Sequence, residues 1–239
     1  MLARLATLGL TPILLAQALY VRGTTERLPE PPGPRAGRLG KGPRLRLLIC
    51  GDSAAAGVGV AHQREALSGQ LAQRLKQDFQ LSWCLAATTG HNTRDAIARL
   101  QAARPRALDV ALCSLGVNDV TTGVRPEQWR TQLDTLHTLL RERFGVRQVL
   151  FAAVPPMQHF PALPRPLRNV MGRIAGQLDR ALEDWTRAAP GRQRLPLEGG
   201  LDPAHMARDG FHPGAPIYAR VAEAAAVAIR GQWLAPART

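Results

Sequence analysis

Three short stretches of this chain hold residue types that can do chemistry together. Gly51-Asp52-Ser53 closes a run of β-type residues and sets a hydroxyl at the head of a small-residue segment. Gly116-Val117-Asn118-Asp119 carries a side-chain amide, and Asp209-Gly210-Phe211-His212 places a carboxylate three residues before an imidazole. A serine hydroxyl is a weak nucleophile at neutral pH until a base takes its proton, and His212 can be that base. Asp209 is close enough in sequence to hold the imidazole in one tautomer and to stabilise the imidazolium. Attack of Ser53 on a carbonyl would create an oxyanion needing donors. The backbone N–H groups of Ser53 and Gly90 and the Asn118 amide can supply them. Gly90, within Ala87–Asn92, has no Cβ to keep its backbone from the reacting carbonyl. These are the parts of acyl transfer through a serine.

Such parts work only if the fold gathers them, and the rest of the chain predicts a fold that does. Leu45–Cys50, Leu81–Ala87, Leu108–Leu115 and Val146–Val154 read as buried strands, with a shorter fifth over Arg192–Leu197. Between them lie helical stripes. Leu67, Leu71, Leu75 and Phe79 share one face, and Asn92 with Asp95 caps a helix carrying Ile97 and Leu100. Trp129 to Phe144 follows a Pro126-Glu127 start. Val170 to Trp185 and Tyr218 to Ile229 complete the set. Strands that are apolar throughout and alternate with helices predict a parallel sheet covered on both faces. In such sheets ligands bind beyond the carboxyl ends of the strands, near the switch in strand order. Ser53, Gly90 and Asn118 follow the first three strands, and His212 precedes the last helix.

Ser53, Gly90, Asn118 and His212, in this order, resemble the four blocks of the SGNH (GDSL-type) hydrolase superfamily. "GDSAAAG" matches the nucleophile block, Gly90 the second, "GVND" the third and "DGFH" the last. The resemblance runs from Leu45 to about Trp233. It implies a flavodoxin-like three-layer α/β/α sandwich with about five parallel strands. It also implies hydrolysis of carboxylic esters through an acyl-enzyme on Ser53, with no cofactor. One position departs from the pattern: the leucine usual after the serine is Ala54, a place with no part in the chemistry. Two alternatives share the fold, an O-acyltransferase that hands the acyl group to an alcohol and a non-catalytic binding module.

Other residues near these blocks have supporting roles in this reading. Asp52 and Asp119 are expected to hydrogen-bond the active-site loops together. His91 either touches substrate or faces solvent. Val154–Leu167, stiffened by five prolines, is expected to offer Met157, Phe160 and Leu163 as the wall of an acyl or alcohol pocket. His62, His137 and His205 read as surface residues.

Composition excludes other classes. The net charge of +13 comes almost wholly from scattered arginine, with lysine only at Lys41 and Lys76, and 5% aromatic residues leave little to stack on bases. No nucleic-acid role is expected. Cys50, Cys84 and Cys113 lack disulfide or metal-ligand spacing and read as small buried groups, and the histidines do not cluster, so no metal is expected. Residues 1–22 hold an uncharged apolar stretch, Leu5–Val21, at the lower limit for a membrane span. It reads as a membrane-associating segment, with the basic residues after it holding the domain on the cytoplasmic side. The alternative is a signal peptide cleaved after Ala16-Gln17-Ala18. Residues 23–43, rich in proline and glycine, read as an extended tether to a hydrolase domain over 44–239. The expected partner is a small-molecule or lipid ester.

Overall fold

The apolar runs pair into one six-stranded sheet in a computed structural model, which describes the backbone of residues 2–234 and the side chains of residues 10–234. The strands are β1 (Ala36–Leu39), β2 (Arg44–Gly51), β3 (Gln80–Ala87), β4 (Val110–Ser114), β5 (Gln148–Ala152) and β6 (Arg192–Leu195). The helices are α1 (Leu2–Thr24), α2 (Ser53–Ala56), α3 (Leu67–Leu75), α4 (Thr93–Ala102), α5 (Val117–Thr121), α6 (Pro126–Phe144), α7 (Leu167–Arg187) and α8 (Ala215–Trp233).

The order across the sheet is β1-β3-β2-β4-β5-β6, parallel throughout except for β1 against β3. Both faces of β2 are buried, and its period-two alternation divides them. Leu45, Leu47 and Ile49 join the core under α3 and α8, with Leu67, Leu71, Tyr218 and Ile229. Leu48 and Cys50 join the core under α4, α6 and α7, with Ile97, Trp129, Leu136 and Leu182. Three layers result. The chain leaves β2 toward β3 on one side and returns to β4 on the other, so the strand order reverses at β2. The crevice outside its carboxyl end is where such a sheet binds ligands, and Ser53 begins there.

The sheet has six strands rather than about five because the expected tether is partly folded. Ala36–Leu39 pairs with Cys84–Leu81 as an edge strand. Upstream of it, Arg35 donates to the Ala87 carbonyl and Glu30 accepts from Thr89. The stretch therefore lies along the domain instead of standing clear of it. The apolar segment before it forms α1, which packs on α7. Gln17 donates to the Arg165 carbonyl at 2.6 Å and accepts from the Leu167 amide at 3.0 Å. Among the described residues no helix is long and apolar enough to cross a membrane. Met1 and the side chains of residues 2–9, part of that expected segment, lie outside the described residues.

Candidate active site

The turn after β2 is built to present a hydroxyl. At Gly51 an added Cβ would sit 2.0 Å from the Ser114 carbonyl oxygen, so only glycine lets β2 end this close against β4. Asp52 then caps α2, its Oδ1 accepting from the Ala54 amide at 2.9 Å. Ser53 takes the first helical position, where its N–H has no carbonyl one turn back to bond.

His212 closes on this serine from the loop before α8. Its Nε2 lies 3.0 Å from Ser53 Oγ, and its Nδ1 lies 2.5 Å from Asp209 Oδ2. The other carboxylate oxygen, Oδ1, accepts from the Phe211 and His212 amides, each at 3.0 Å. An ionised carboxylate only accepts, so the contact fixes the proton on Nδ1 and turns the Nε2 lone pair toward the serine. Burial alone would push the Asp209 carboxyl up. The hydrogen bonds from the His212 ring and the two amides more than offset it and hold this group below the ordinary carboxylate value. Asp52, on the other side of Ser53 in sequence, is wholly buried. Burial pushes its carboxyl up to about 7, against the Ala54 and Ala55 amides and the charge of His212.

The expected oxyanion donors stand at two other strand ends. Asn118 Nδ2 donates one N–H to the His91 carbonyl at 2.9 Å, which fixes the amide and leaves its second N–H. Gly90 has φ +85°, and a Cβ there would meet nothing within 4 Å. The left-handed backbone, rather than a crowding neighbour, is what requires glycine at this position. Two networks hold these loops. Asp119 accepts from the Thr93 amide and hydroxyl, and Trp129 Nε1 donates to the same hydroxyl at 2.9 Å. Asp119 thus ties the two loops together, as the sequence suggests. Glu30 Oε1 accepts from the Thr89 amide and hydroxyl, beside Gly90. Glu30 lies in the expected tether, and its only local signal in the sequence is that of a lone acid among prolines.

The remaining expectations divide. His91 contributes its carbonyl, while its half-buried ring has Nδ1 enclosed without a hydrogen-bond partner. A cavity of about 90 Å³ adjoins Ser53 and His212, and Phe160 lines it. Met157 and Leu163, expected beside Phe160 on that wall, instead point into the core under α7. An apolar side chain on a proline-stiffened loop finds more to bury against there than at the cavity. His137 is not a surface residue: it is buried edge-on against Trp185, with Nδ1 3.3 Å from Arg192. Burial, with Arg192 and Arg141 nearby, pulls it down to about 4. The three cysteines are free and buried.

With this geometry in hand, likeness to known proteins is specific. The profile of the GDSL-like Lipase/Acylhydrolase family matches residues 49–220, well over half of the chain. A GDSL-like esterase of Mycobacterium tuberculosis, Rv1075c, is 29% identical over 94% of this chain and 78% of its own length. Among solved structures, TesA superposes with a TM-score of 0.60 at 21% identity, over 78% of this chain and 98% of its own. A family 2 carbohydrate esterase of Corynascus thermopiles (Myceliophthora fergusii) gives 0.61 at 15% identity, over 84% and 68%. At such identities the two structures speak for the fold alone.

Proposed function

This chain belongs to the GDSL-like Lipase/Acylhydrolase family, and we propose that it is a carboxylic ester hydrolase working through an acyl-enzyme on Ser53. The observation that carries the reading is the unbroken hydrogen-bonded line from Ser53 Oγ through the His212 ring to Asp209. The name of the mycobacterial relative, an esterase, agrees with it.

Ser53 attacks the ester carbonyl as His212 Nε2 takes its proton. Asp209, held ionised by its three donors, stabilises the imidazolium without itself taking the proton. Negative charge on the carbonyl oxygen falls to the Ser53 and Gly90 amides and the free N–H of Asn118. His212 then protonates the departing alcohol, and the ester has become a Ser53 acyl-enzyme. Water enters where the alcohol left and attacks the acyl carbonyl as His212 takes its proton; the bond to Ser53 Oγ then breaks, His212 returns the proton to that oxygen, and the acid leaves. Asp52 and Asp119 position the loops and move no proton in this scheme. The test is hydrolysis of an aryl ester by the wild type, Ser53→Ala and His212→Ala, all three first shown to be folded. Near-wild-type turnover in Ser53→Ala would sink the assignment. Product analysis with an added alcohol reports whether water or the alcohol takes the acyl group.

A further inference from the structure

The cavity beside Ser53 has a polar mouth and apolar walls. Asp52, Ser53, Ser114 and His212 stand together at one end of it. Beyond them the lining passes to Leu115, Ala152 and Leu195 at the ends of β4, β5 and β6, and to Ile217 and Val221 on α8. From β2 to β6 is three strand spacings, about 14 Å. The walls are interior residues: Leu115, Leu195 and Ile217 are at most 5% exposed. Tyr218 also lines the space, but its hydroxyl is committed to the Val58 carbonyl at 2.6 Å. Past the mouth, then, the space suits an alkyl chain better than a sugar ring.

Which half of an ester would lie here follows from the order of events. The alcohol must leave past His212, and water must enter by the same way. A space walled by buried side chains suits the group that stays through both steps, the acyl chain. Ala54 sits half-buried on the wall immediately after Ser53. This is the position where the family pattern has leucine, and alanine leaves that volume open.

We propose that this cavity is an acyl pocket that takes unbranched chains of medium length in preference to acetyl, and that Ala54 opens its mouth. The proposal rests on the acyl-enzyme reading above. Each buried methylene strengthens binding by about fourfold. Across p-nitrophenyl acetate, butyrate, hexanoate, octanoate and palmitate, kcat/KM is expected to rise at least about tenfold from acetate to hexanoate. It should fall again by palmitate, whose chain exceeds the space. Ala54→Leu narrows the mouth and should cut the hexanoate-to-acetate ratio by about tenfold. Val221→Phe, on a half-buried face of α8, fills the space elsewhere and should shift the preference toward shorter chains even if Ala54→Leu fails to fold. A flat or falling wild-type series, or unchanged ratios in the folded variants, overturns the pocket. Labelling by a fluorophosphonate runs in parallel. Label on Ser53 with a flat series overturns the pocket alone, whereas no label and no ester turnover overturns the acyl-enzyme reading and the pocket with it.

Discussion

Two buried aspartates act on His212 from different loops, and their carboxyls are shifted in opposite directions. Asp209, in the loop before α8, receives the His212 ring and two backbone amides, and stays below the ordinary carboxylate value. Asp52, in the turn after β2, receives only amides at the start of a four-residue helix, and burial carries it up to about 7. Both are shut away from water. What separates them is whether the donors aimed at the carboxylate outweigh its lost hydration. In the proposed mechanism, the loop with the fuller donor set supplies the charge that an imidazolium needs. The other loop supplies a cap that keeps its proton through mildly acid pH.

His212→Ala removes the ring that both carboxylates act on and should have the largest effect, a loss of roughly 10⁴- to 10⁶-fold in kcat on an aryl ester. Asp209→Ala breaks one side of the comparison only. Both reacting groups remain while orientation is lost, so kcat should drop by roughly 10³- to 10⁴-fold, measured with the same ester. Asn118→Ala tests the proposed oxyanion donors. A loss of roughly 10²- to 10³-fold in kcat with KM little changed is expected, and a change mainly in KM would point to ground-state binding instead.

Asp52→Asn sharpens the comparison through stability. Its raised value means that the folded chain keeps a proton from pH 3.8, where the unfolded group releases it, up to about 7. Over that window the native state binds more protons, so Asp52 costs stability progressively as pH rises, and the loss is complete above about 7. Asparagine cannot titrate and still accepts from the Ala54 amide. Denaturation midpoints should therefore show Asp52→Asn gaining on the wild type between pH 5 and pH 8. An equal offset at both pH values would contradict a raised carboxyl. The smallest effect belongs to His137, whose folded value of about 4 lies below its ordinary 6.5. Here the unfolded chain binds the extra proton, so stability falls as pH drops from 6.5 toward 4. His137→Gln should lessen that acid sensitivity in a denaturation series.

Much of this arrangement was legible in the sequence, for identifiable reasons. The four central strands are mostly apolar runs with few polar interruptions, and the helices between them carry clear stripes, so sheet type and the location of the site followed together. Asp209 and His212 are three residues apart, a spacing that already brings their side chains into reach. Other features left no such trace. β1 is four residues with half-exposed alternation and two charges or glycines among them, too short for any periodicity to register. Glu30 acts across 59 residues on Thr89, and nothing local announces a contact of that range. Met157 and Phe160 sit three apart on one loop and are buried in the same core, yet only Phe160 also borders the cavity, which only the path of the backbone decides. His137 falls on the buried stripe of α6 beside Leu136, but a single polar residue there reads equally as the edge of that stripe.

In the proposed mechanism Ser53 is the residue that becomes acylated, and a fluorophosphonate tests that directly. Peptide mass mapping of the labelled protein should place one phosphonyl group per chain on Ser53, with labelling slowed in His212→Ala. An adduct on another side chain, or no adduct from protein that still hydrolyses the ester, would contradict it.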